Sequence, residues 1–392
     1  MRMRLSGRKI TILGAGIAGL ALARALALRG AKVSLLEQAE AISEVGAGLQ
    51  ISPNGAVVLR ALGLGAGLDE ISLRAEAVEL REGAKGGLVT RLEVGKLRPD
   101  QGWHFLHRAD LIRLLVDGAR EAGAELRLLQ KVRKLDLSGE APVIETCTGA
   151  RETADLLIGA DGLHSPTRAA LNGAVAPKFT RQVAWRCLVP CDPAEPKVAE
   201  VHMGPGRHLV SYPLRGGLWR NIVAVEERNS WVAEGWSLRD DPAHLRAAFR
   251  GFSPRVRGWL DQAEEPGLWG LFRHPVASTW VKTLKGGQVL ILGDAAHPTL
   301  PFLAQGANMA LEDVWSLTEA LDQGDDLIAW QESRKKRCTK IVNAASGNAR
   351  NYHLSGLAQK AAHLVLRTGG RLAPGLALSR FDWLYDYDVT RR

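Results

Sequence analysis

Asp294 stands just past the apolar run Gln288–Leu292, at the start of the stretch Gly293–Asp313, GDAAHPTLPFLAQGANMALED. The run reads as a short strand stopped by Gly293, which sets the carboxylate at the carboxyl end of a strand, where open α/β sheets bind ligands. An acid there suits a ribose or other polyol better than a phosphate. Further on, Gly306, Ala307 and Asn308 precede a helical run of Met309, Leu311, Val314 and Leu317, with Glu312 and Asp313 predicted in its first turn. The free N–H groups of that helix start would stabilise negative charge on a ligand in the same crevice. Near the other end of the chain, Gly14, Gly16 and Gly19 form G-x-G-x-x-G between a predicted strand Lys9–Leu13 and a helix from Leu20 to about Leu28. Gly14 permits the turn, Gly16 lets the backbone approach a pyrophosphate, and Gly19 lets the helix pack closely on the sheet. The strand Lys32–Leu36 then delivers Glu37 at the spacing at which an acid binds a ribose 2′-hydroxyl. This unit reads as a dinucleotide site that does not separate FAD from NAD; a purely structural glycine turn is the alternative.

A second kind of chemistry is carried by Gly204–Gly217, GPGRHLVSYPLRGG. His208 and Tyr212 are four apart in a predicted strand, so both project from one face. A histidine titrating near pH 6.5 is suited to taking the proton of a phenol and so making its ring electron-rich. The competing reading is a histidine packed and hydrogen-bonded inside the sheet.

The elements that must position these residues are legible in outline. Glu44–Asn54, EVGAGLQISPN, has no clean period and reads as a functional loop. A helix is predicted over Ala56–Leu64, a hairpin around Gly83–Gly87, and a helix Leu111–Glu121 with Asp110 as its N-cap. Glu125–Leu128, Val143–Thr146 and Ala154–Ile158 read as strands, the last running into Gly159, Ala160, Asp161 and Gly162. After Pro177 short strands follow one another with little helix (Val183–Val189, Val198–His202, Leu209–Tyr212, Trp219–Val225), which predicts an antiparallel sheet and a second lobe from Lys178 to about Leu271. Most of the tryptophans there are expected in core or interface. Helices Asp313–Asp322 and Leu327–Ala344 would return to the first lobe. A further helix, Leu354–Arg367, carries Leu357, Ala361, Leu364 and Val365 at helical spacing, to pack on the fold or to form a homodimer contact.

Bulk properties exclude several classes. With 392 residues, 46% hydrophobic and 24% charged, the chain reads as an ordinary soluble enzyme of one large core or two lobes. The net charge of +9 is scattered, and its densest run, Arg334–Arg337, reads as a solvated helix face; no nucleic-acid partner is expected, and a field favouring anionic substrates and pyridine nucleotides is the second reading. Four cysteines, at 147, 187, 191 and 338, give no zinc pattern, so no metal is expected and a reduced, cytoplasmic setting fits. The basic N-terminus is not read as a secretion signal, because Gly14, Gly16 and Gly19 break the apolar stretch that follows. No uncharged run reaches the roughly 18 residues of a membrane span, so stable membrane insertion is not expected.

GDAAHP followed by QGAN and LED resembles the second FAD-binding motif of the flavin-dependent aromatic hydroxylases, the group A monooxygenases with the p-hydroxybenzoate hydroxylase fold. ADLLIGADGLHSPTR resembles their DG motif, FLHRADL their HR-x-x-L signature, and His208 to Pro213 the H-x-x-x-Y-P segment of the salicylate, 3-hydroxybenzoate and 6-hydroxynicotinate hydroxylase-like branch. The resemblance covers nearly the whole chain. It implies an α/β fold: a Rossmann-like FAD-binding lobe (1–177, with a small hairpin insertion at about 71–97), an inserted, mainly antiparallel β-sheet substrate lobe (178–271), the second part of the FAD lobe (272–345), and a C-terminal helical tail (346–392).

By the same resemblance NADH or NADPH reduces bound FAD, dioxygen adds as a flavin hydroperoxide, and oxygen passes to a small phenolic or hydroxypyridine ring that carries a carboxylate in some of these enzymes. Glu37 would hold the adenine ribose, Asp294 the ribityl chain and Arg108 the cofactor, against a plain surface ion pair for that arginine. Asp161 and Gly162 would lie near the pyrophosphate, or supply only a turn. Gly46, Gly48 and Gln50 would run beside the flavin, or again supply turns. The helix start at Gly306, Ala307 and Asn308 would stabilise the anionic reduced flavin, Pro298 would border the substrate, and His208, with Tyr212 beside it, would be the base. Two departures bear on pocket shape: Ala304, where many relatives have glycine, and Cys187 in WRCLVP. The rivals are an oxidase, a halogenase (whose W-x-W-x-I-P signature is absent), an NAD-dependent dehydrogenase, and a non-catalytic flavin-binding protein.

Overall fold

The computed structural model describes residues 4–42, 47–232, 234, 238–372 and 376–391. Two sheets dominate it. The first has six strands in the order Val281–Leu284, Gly287–Ile291, Leu156–Gly159, Lys9–Leu13, Lys32–Leu36, Glu125–Arg127, all parallel except the first, antiparallel at its edge. Its inner strands are near-continuous apolar runs because both faces are covered, one by helices and the other, through Leu13, Leu36, Leu157 and Val289, largely by Val132, Leu135 and Ile144 of a three-stranded sheet. Helix Ile17–Ala27 follows the first strand and lies against helix Gly306–Gln323. In the register of the three central strands Leu13 pairs with Gly159, and Gly159 with Ile291. The turns that follow, at Gly14, at Ala160–Gly162 and at Gly293, therefore open side by side at one sheet edge.

The second sheet has seven strands: Gly267–Arg273, Lys178–Pro190, Trp219–Glu227, Arg207–Leu214, Val198–Gly204, Ala77–Glu82 and Leu88–Leu92. Only the pair Val198–Gly204 and Ala77–Glu82 is parallel. The hairpin expected around Gly83–Gly87 thus joins the second sheet, although in sequence it lies inside the first lobe. Side chains alternate between the two faces. Val183, Trp185, Leu209, Ile222 and Ala224 pack outward on helices Pro242–Ala248 and Pro254–Asp261, while Ala184, Val223, Val225 and Leu271 pack inward against Leu300, Phe302 and Ala349. Trp185, Trp259 and Trp280 are core, but Trp219 and Trp231 are exposed, and Trp236 lies outside the described residues.

Several local expectations are corrected. Gly48–Ile51 is a strand, not a loop, because His104–His107 offers it an antiparallel partner, and helix Pro53–Ala61 begins soon after. The helix expected at Leu111 starts at Arg108 with His107 as its N-cap. Asp110 is in its first turn and accepts from Arg113 and Arg215. The helix after the GD turn starts at Gly306, which moves Glu312 and Asp313 out of the first turn into the interior. Helix Leu327–Tyr352 continues unbroken past 345. On helix Gly356–Leu372 the stripe of Leu357, Ala361, Leu364 and Val365 faces solvent; Leu366, on the other side, packs against Val89, Val201 and Met203. Among the described residues, no helix is long and apolar enough to cross a membrane.

The basic run Arg334–Arg337 is not a solvated face. Helical spacing turns Arg334 and Cys338 inward with Ile341, and the Arg334 guanidinium, fully buried, bridges the buried carboxylates of Glu312 and Asp313 at 2.8 Å each. Arg337 donates twice to Glu312, at 2.7 Å, and also donates to the carbonyls of Trp383 and Leu384, which clamps the end of the C-terminal tail to the core. Burial alone would raise the Asp313 pKa, but His297, Arg334 and the Gly293 N–H outweigh it and hold it at about 2; Glu200, paired with His202 and Arg255, is likewise held at about 2. Carboxylates depressed in the folded state contribute stability above their ordinary range and lose it as pH falls through the folded value. The urea midpoint is therefore expected to be flat on this account from neutrality to about pH 5 and to fall steeply between about pH 4 and 2. A midpoint that did not move over that lower interval would refute this assignment.

Candidate active site

The three turns at the edge of the first sheet form one crevice. Gly14 has φ of +98°, and a Cβ there would stand 2.6 Å from the Ala160 carbonyl, so the first turn and the DG turn touch through backbone. A Cβ on Gly19 would meet the Gly14 carbonyl at 1.9 Å, which explains the third glycine as a packing requirement. Gly16 differs, because a Cβ there would meet nothing within 4 Å. It is the N-cap of helix Ile17–Ala27 and no side chain caps it. The helix start at Gly306 likewise has no side-chain cap. Glu37 accepts the Ala15 N–H at 2.7 Å and the Ala39 N–H at 2.9 Å, holding the first turn to the end of the second strand. Asp294, after Gly293 at φ of +60°, is exposed and has no hydrogen bond to the described residues. Two uncapped helix starts for negative charge and two acids for hydroxyls fit a flavin dinucleotide.

The side chain of Asp161 is engaged in its own turn. It accepts from Ser165, from the Thr167 N–H at 3.1 Å and from the Thr167 hydroxyl at 2.6 Å, while burial raises its pKa against those bonds. The carboxylate is thus engaged within its turn, while the Asp161 Cα lies 2.9 Å from where a Cβ on Gly14 would stand, and Gly162 follows at φ of +75°. Arg168 ties this turn to the GD turn by donating to the carbonyls of Ala295 and Pro275.

Gly48, Gln50 and Asn308 form the seam between the crevice and the second sheet. Gly48 donates its N–H to Asn221 at 2.8 Å, and a Cβ there would lie 2.5 Å from the Asn221 side chain. Its glycine is thus explained by the sheet-to-sheet contact. Gly46 lies outside the described residues. Asn308, fully buried, accepts from the Ser52 N–H and donates to the carbonyls of Gln50 and Ala304, locking strand Gly48–Ile51 onto the helix start. Gln50 accepts from Trp103, whose ring packs at a tilt on Tyr385, 4.8 Å between centroids, and it acts on Tyr212 to lower its pKa against burial. Pro298 is buried just past the GD turn.

Ala304 adopts a left-handed conformation at φ of 52° and ψ of 37°, so the methyl that departs from the resembling family strains the backbone. Relief of about 1–2 kcal/mol of strain against about 0.4–1 kcal/mol of extra unfolded-state freedom leaves Ala304→Gly stabilising by up to about 1.6 kcal/mol. Thermal unfolding checks this; a lowered midpoint would contradict it. Cys187 faces the outer cluster, on the opposite side of the sheet from His208 and Tyr212, and burial pushes its thiol up to about 12.

On the inner face of the second sheet the cross-strand rows place the chemistry. One row runs Ala184, Val225, His208; the next Arg186, Val223, Val210; the third Leu188, Asn221, Tyr212. His208 and Tyr212 share this face with Arg186, which the sequence reading passed over although alternation from Ala184 points to it. The Arg186 guanidinium lies 5.0 Å over the Trp269 ring. Burial lowers its pKa, an effect that Tyr212 opposes and Arg108 adds to. Tyr212 lies 5.1 Å from the Phe105 ring, and burial raises its pKa and keeps it protonated. His208 lies 5.5 Å from Phe302 and donates or accepts at Nδ1 with His353 at 2.7 Å. Burial, then His353, push its pKa well below the ordinary range, so it is neutral at pH 7.

This architecture, glycine turns at the end of a parallel sheet joined through Gly48 and Asn221 to an antiparallel sheet, is that of a flavoprotein. A family profile described as FAD binding domain matches residues 8–344, and the chain belongs to that family as an FAD-dependent aromatic monooxygenase with NAD(P)H as co-substrate. It is 31% identical over 399 residues to a 3-amino-4-hydroxybenzoate 2-monooxygenase of Streptomyces platensis, covering 97% of this chain and 96% of that one. To a 3-hydroxybenzoate 6-hydroxylase of Polaromonas naphthalenivorans it is 32% identical over 396 residues, with 97% and 96% covered. To a 6-hydroxynicotinate 3-monooxygenase of Bordetella bronchiseptica it is 29% identical, with 87% and 91% covered. The fold is also that of a salicylate hydroxylase substrate complex, with a TM-score of 0.81 at 24% identity over 98% of this chain and 97% of that one.

Proposed function

We propose that this enzyme hydroxylates a small ring bearing an ionisable hydroxyl, phenolic or hydroxypyridine, together with a carboxylate. The observation that supports this most is the shared inner face of His208, Tyr212 and Arg186, opposite Leu300 and Phe302. A neutral, buried imidazole accepts the proton of the ring hydroxyl at its free nitrogen. Tyr212, held protonated, and its neighbour Gln50 orient the ring, and Arg186 with Arg108 supplies the positive charge that a carboxylate needs out of water. Pro298 borders the ring. The relatives' substrates, hydroxybenzoates and a hydroxynicotinate, have this combination of groups.

When bound, FAD supplies the hydride acceptor and the activation of dioxygen. The chain's share is to hold and enclose it: Glu37 at the adenine ribose, Asp294 at the ribityl hydroxyls, the backbone of Gly14, Gly16 and Gly162 at the pyrophosphate, and the N–H groups from Gly306 to Asn308 at the ring's negative charge.

The test is an absorbance spectrum of the purified protein, then NADH and NADPH oxidation with a panel of hydroxybenzoates and hydroxypyridines, with and without carboxylates, and product analysis. Flavin-loaded protein stimulated best by carboxylated rings, with hydroxylated product, is the expected result. Equal stimulation by rings lacking the carboxylate would remove Arg186 from the account, and stimulation by no hydroxylated ring would reject the substrate class.

A further inference from the structure

The hydrogen bonding of His208 continues beyond the sheet. Its Nδ1 lies 2.7 Å from Nε2 of His353, which follows the long helix Leu327–Tyr352, and Nδ1 of His353 lies 2.7 Å from Oε1 of Glu227, the last residue of its strand. His208 and His353 are buried, whereas the Glu227 side chain is 53% exposed. Three groups from three elements thus step from the pocket to solvent. The rings are fixed by packing: His208 lies 5.1 Å from Tyr352, and the His353 carbonyl accepts the Gly206 N–H at 3.3 Å. The other titratable groups at the chain are Tyr352, pushed up to about 12 by burial and so protonated, and Arg207, which pairs with Glu226 at 3.3 Å and acts electrostatically on His353.

The direction of the bonds follows from chemistry. A carboxylate only accepts, so His353 carries its proton on Nδ1 and presents Nε2 as an acceptor to the Nδ1–H of His208. That leaves Nε2 of His208 as the nitrogen with a free lone pair.

We propose that His353 and Glu227 are positioning residues for His208, holding it in the tautomer whose Nε2 accepts the substrate's proton and carrying the displaced proton to solvent. This rests on the reading of His208 as the base. As the substrate O–H bond breaks, its proton goes to Nε2 of His208. The Nδ1 proton of His208 moves to Nε2 of His353, and the Nδ1 proton of His353 moves to Glu227 and on to water. One proton enters and one leaves, with no change of electrons. The reverse transfers, once the product hydroxyl is reprotonated, restore both tautomers.

The experiment uses the full-length FAD-loaded enzyme, with ¹⁵N-histidine spectra for the resting tautomers and stopped-flow proton release to an indicator dye on mixing with 3-hydroxybenzoate. Both histidines are expected to carry Nδ1 protons. Glu227→Gln and His353→Ala are each expected to slow release by about 10–100-fold, within the range of one proton-transfer group, with added imidazole restoring the His353 variant. Glu227 is half-exposed, so its variant keeps the fold even if the His353 variant does not. Release at the wild-type rate in both variants, while His208→Ala abolishes it, would leave the base in place and overturn the relay. Wild-type release in His208→Ala would overturn the base and the relay together. A resting His208 protonated on Nε2 would overturn the tautomer argument whether or not the probe binds.

Discussion

Arg334→Met is expected to destabilise the fold by about 3–5 kcal/mol, the usual result of removing one partner from a buried ion pair. Arg334 satisfies Glu312 and Asp313 at once, and both are without solvent. Methionine would fill much of the volume but leave Glu312 to Arg337 and Asn54, and Asp313 to His297 and the Gly293 N–H, each carboxylate having lost a charge-assisted hydrogen bond out of solvent. The damage should reach the crevice. Asn54 also donates to Gln305, which donates to Ser52, so the start of helix Gly306–Gln323 hangs on the same network. Urea denaturation would measure the loss, and the flavin content of the purified variant would show whether the crevice loosens with it. Arg334→Lys should recover only part, since an ammonium cannot present a planar fork to two carboxylates. An unfolding midpoint within error of wild type for the methionine variant would mean that the acids are neutralised in some other way.

His208→Ala is expected to lower the rate of ring hydroxylation by about 10²–10⁴-fold, the range for a positioned acid–base group. The pH dependence carries the sharper signal. Because burial and His353 push the imidazole pKa down, the wild-type base is already neutral through the physiological range, and the acid limb of kcat/KM should lie below the ordinary histidine value. Without it, the rate should instead rise with pH as the ring hydroxyl ionises unaided. The variant also removes the partner of His353, so flavin content and fold must be shown unchanged. Coupled NAD(P)H oxidation and product formation across pH would decide; the same rate and profile in wild type and variant would place the base elsewhere.

How much of this was legible in the chain differs by residue. The turns at Gly14, at Asp161 and Gly162, and at Gly293 were readable because each follows a short apolar strand whose end is written in adjacent residues. Local spacing also put His208 and Tyr212 on one face, since strand periodicity needs only a few residues. It failed where a partner distant in the chain made the decision. Gly48–Ile51 looked like a loop because its ladder partner is His104–His107, and Gly48 itself is glycine because Asn221 fills the space beside it.

Short-range pattern in the amino-acid order gave the strand–turn–helix units and the run of short strands after Pro177, and the motifs' resemblance to a known family gave the class of chemistry; the pairing of distant strands brought the three turns to one sheet edge. Only the tertiary structure decided that Arg334 is a buried bridge, that Arg186 shares a sheet face with His208 and Tyr212, that the carboxylate of Asp161 bonds within its own turn, and that His208 is linked through His353 to Glu227. Those are matters of which charge lies beside which once solvent is excluded. The desolvation that makes such neighbours consequential exists only after segments as far apart as His208 and His353, 145 residues, have packed together.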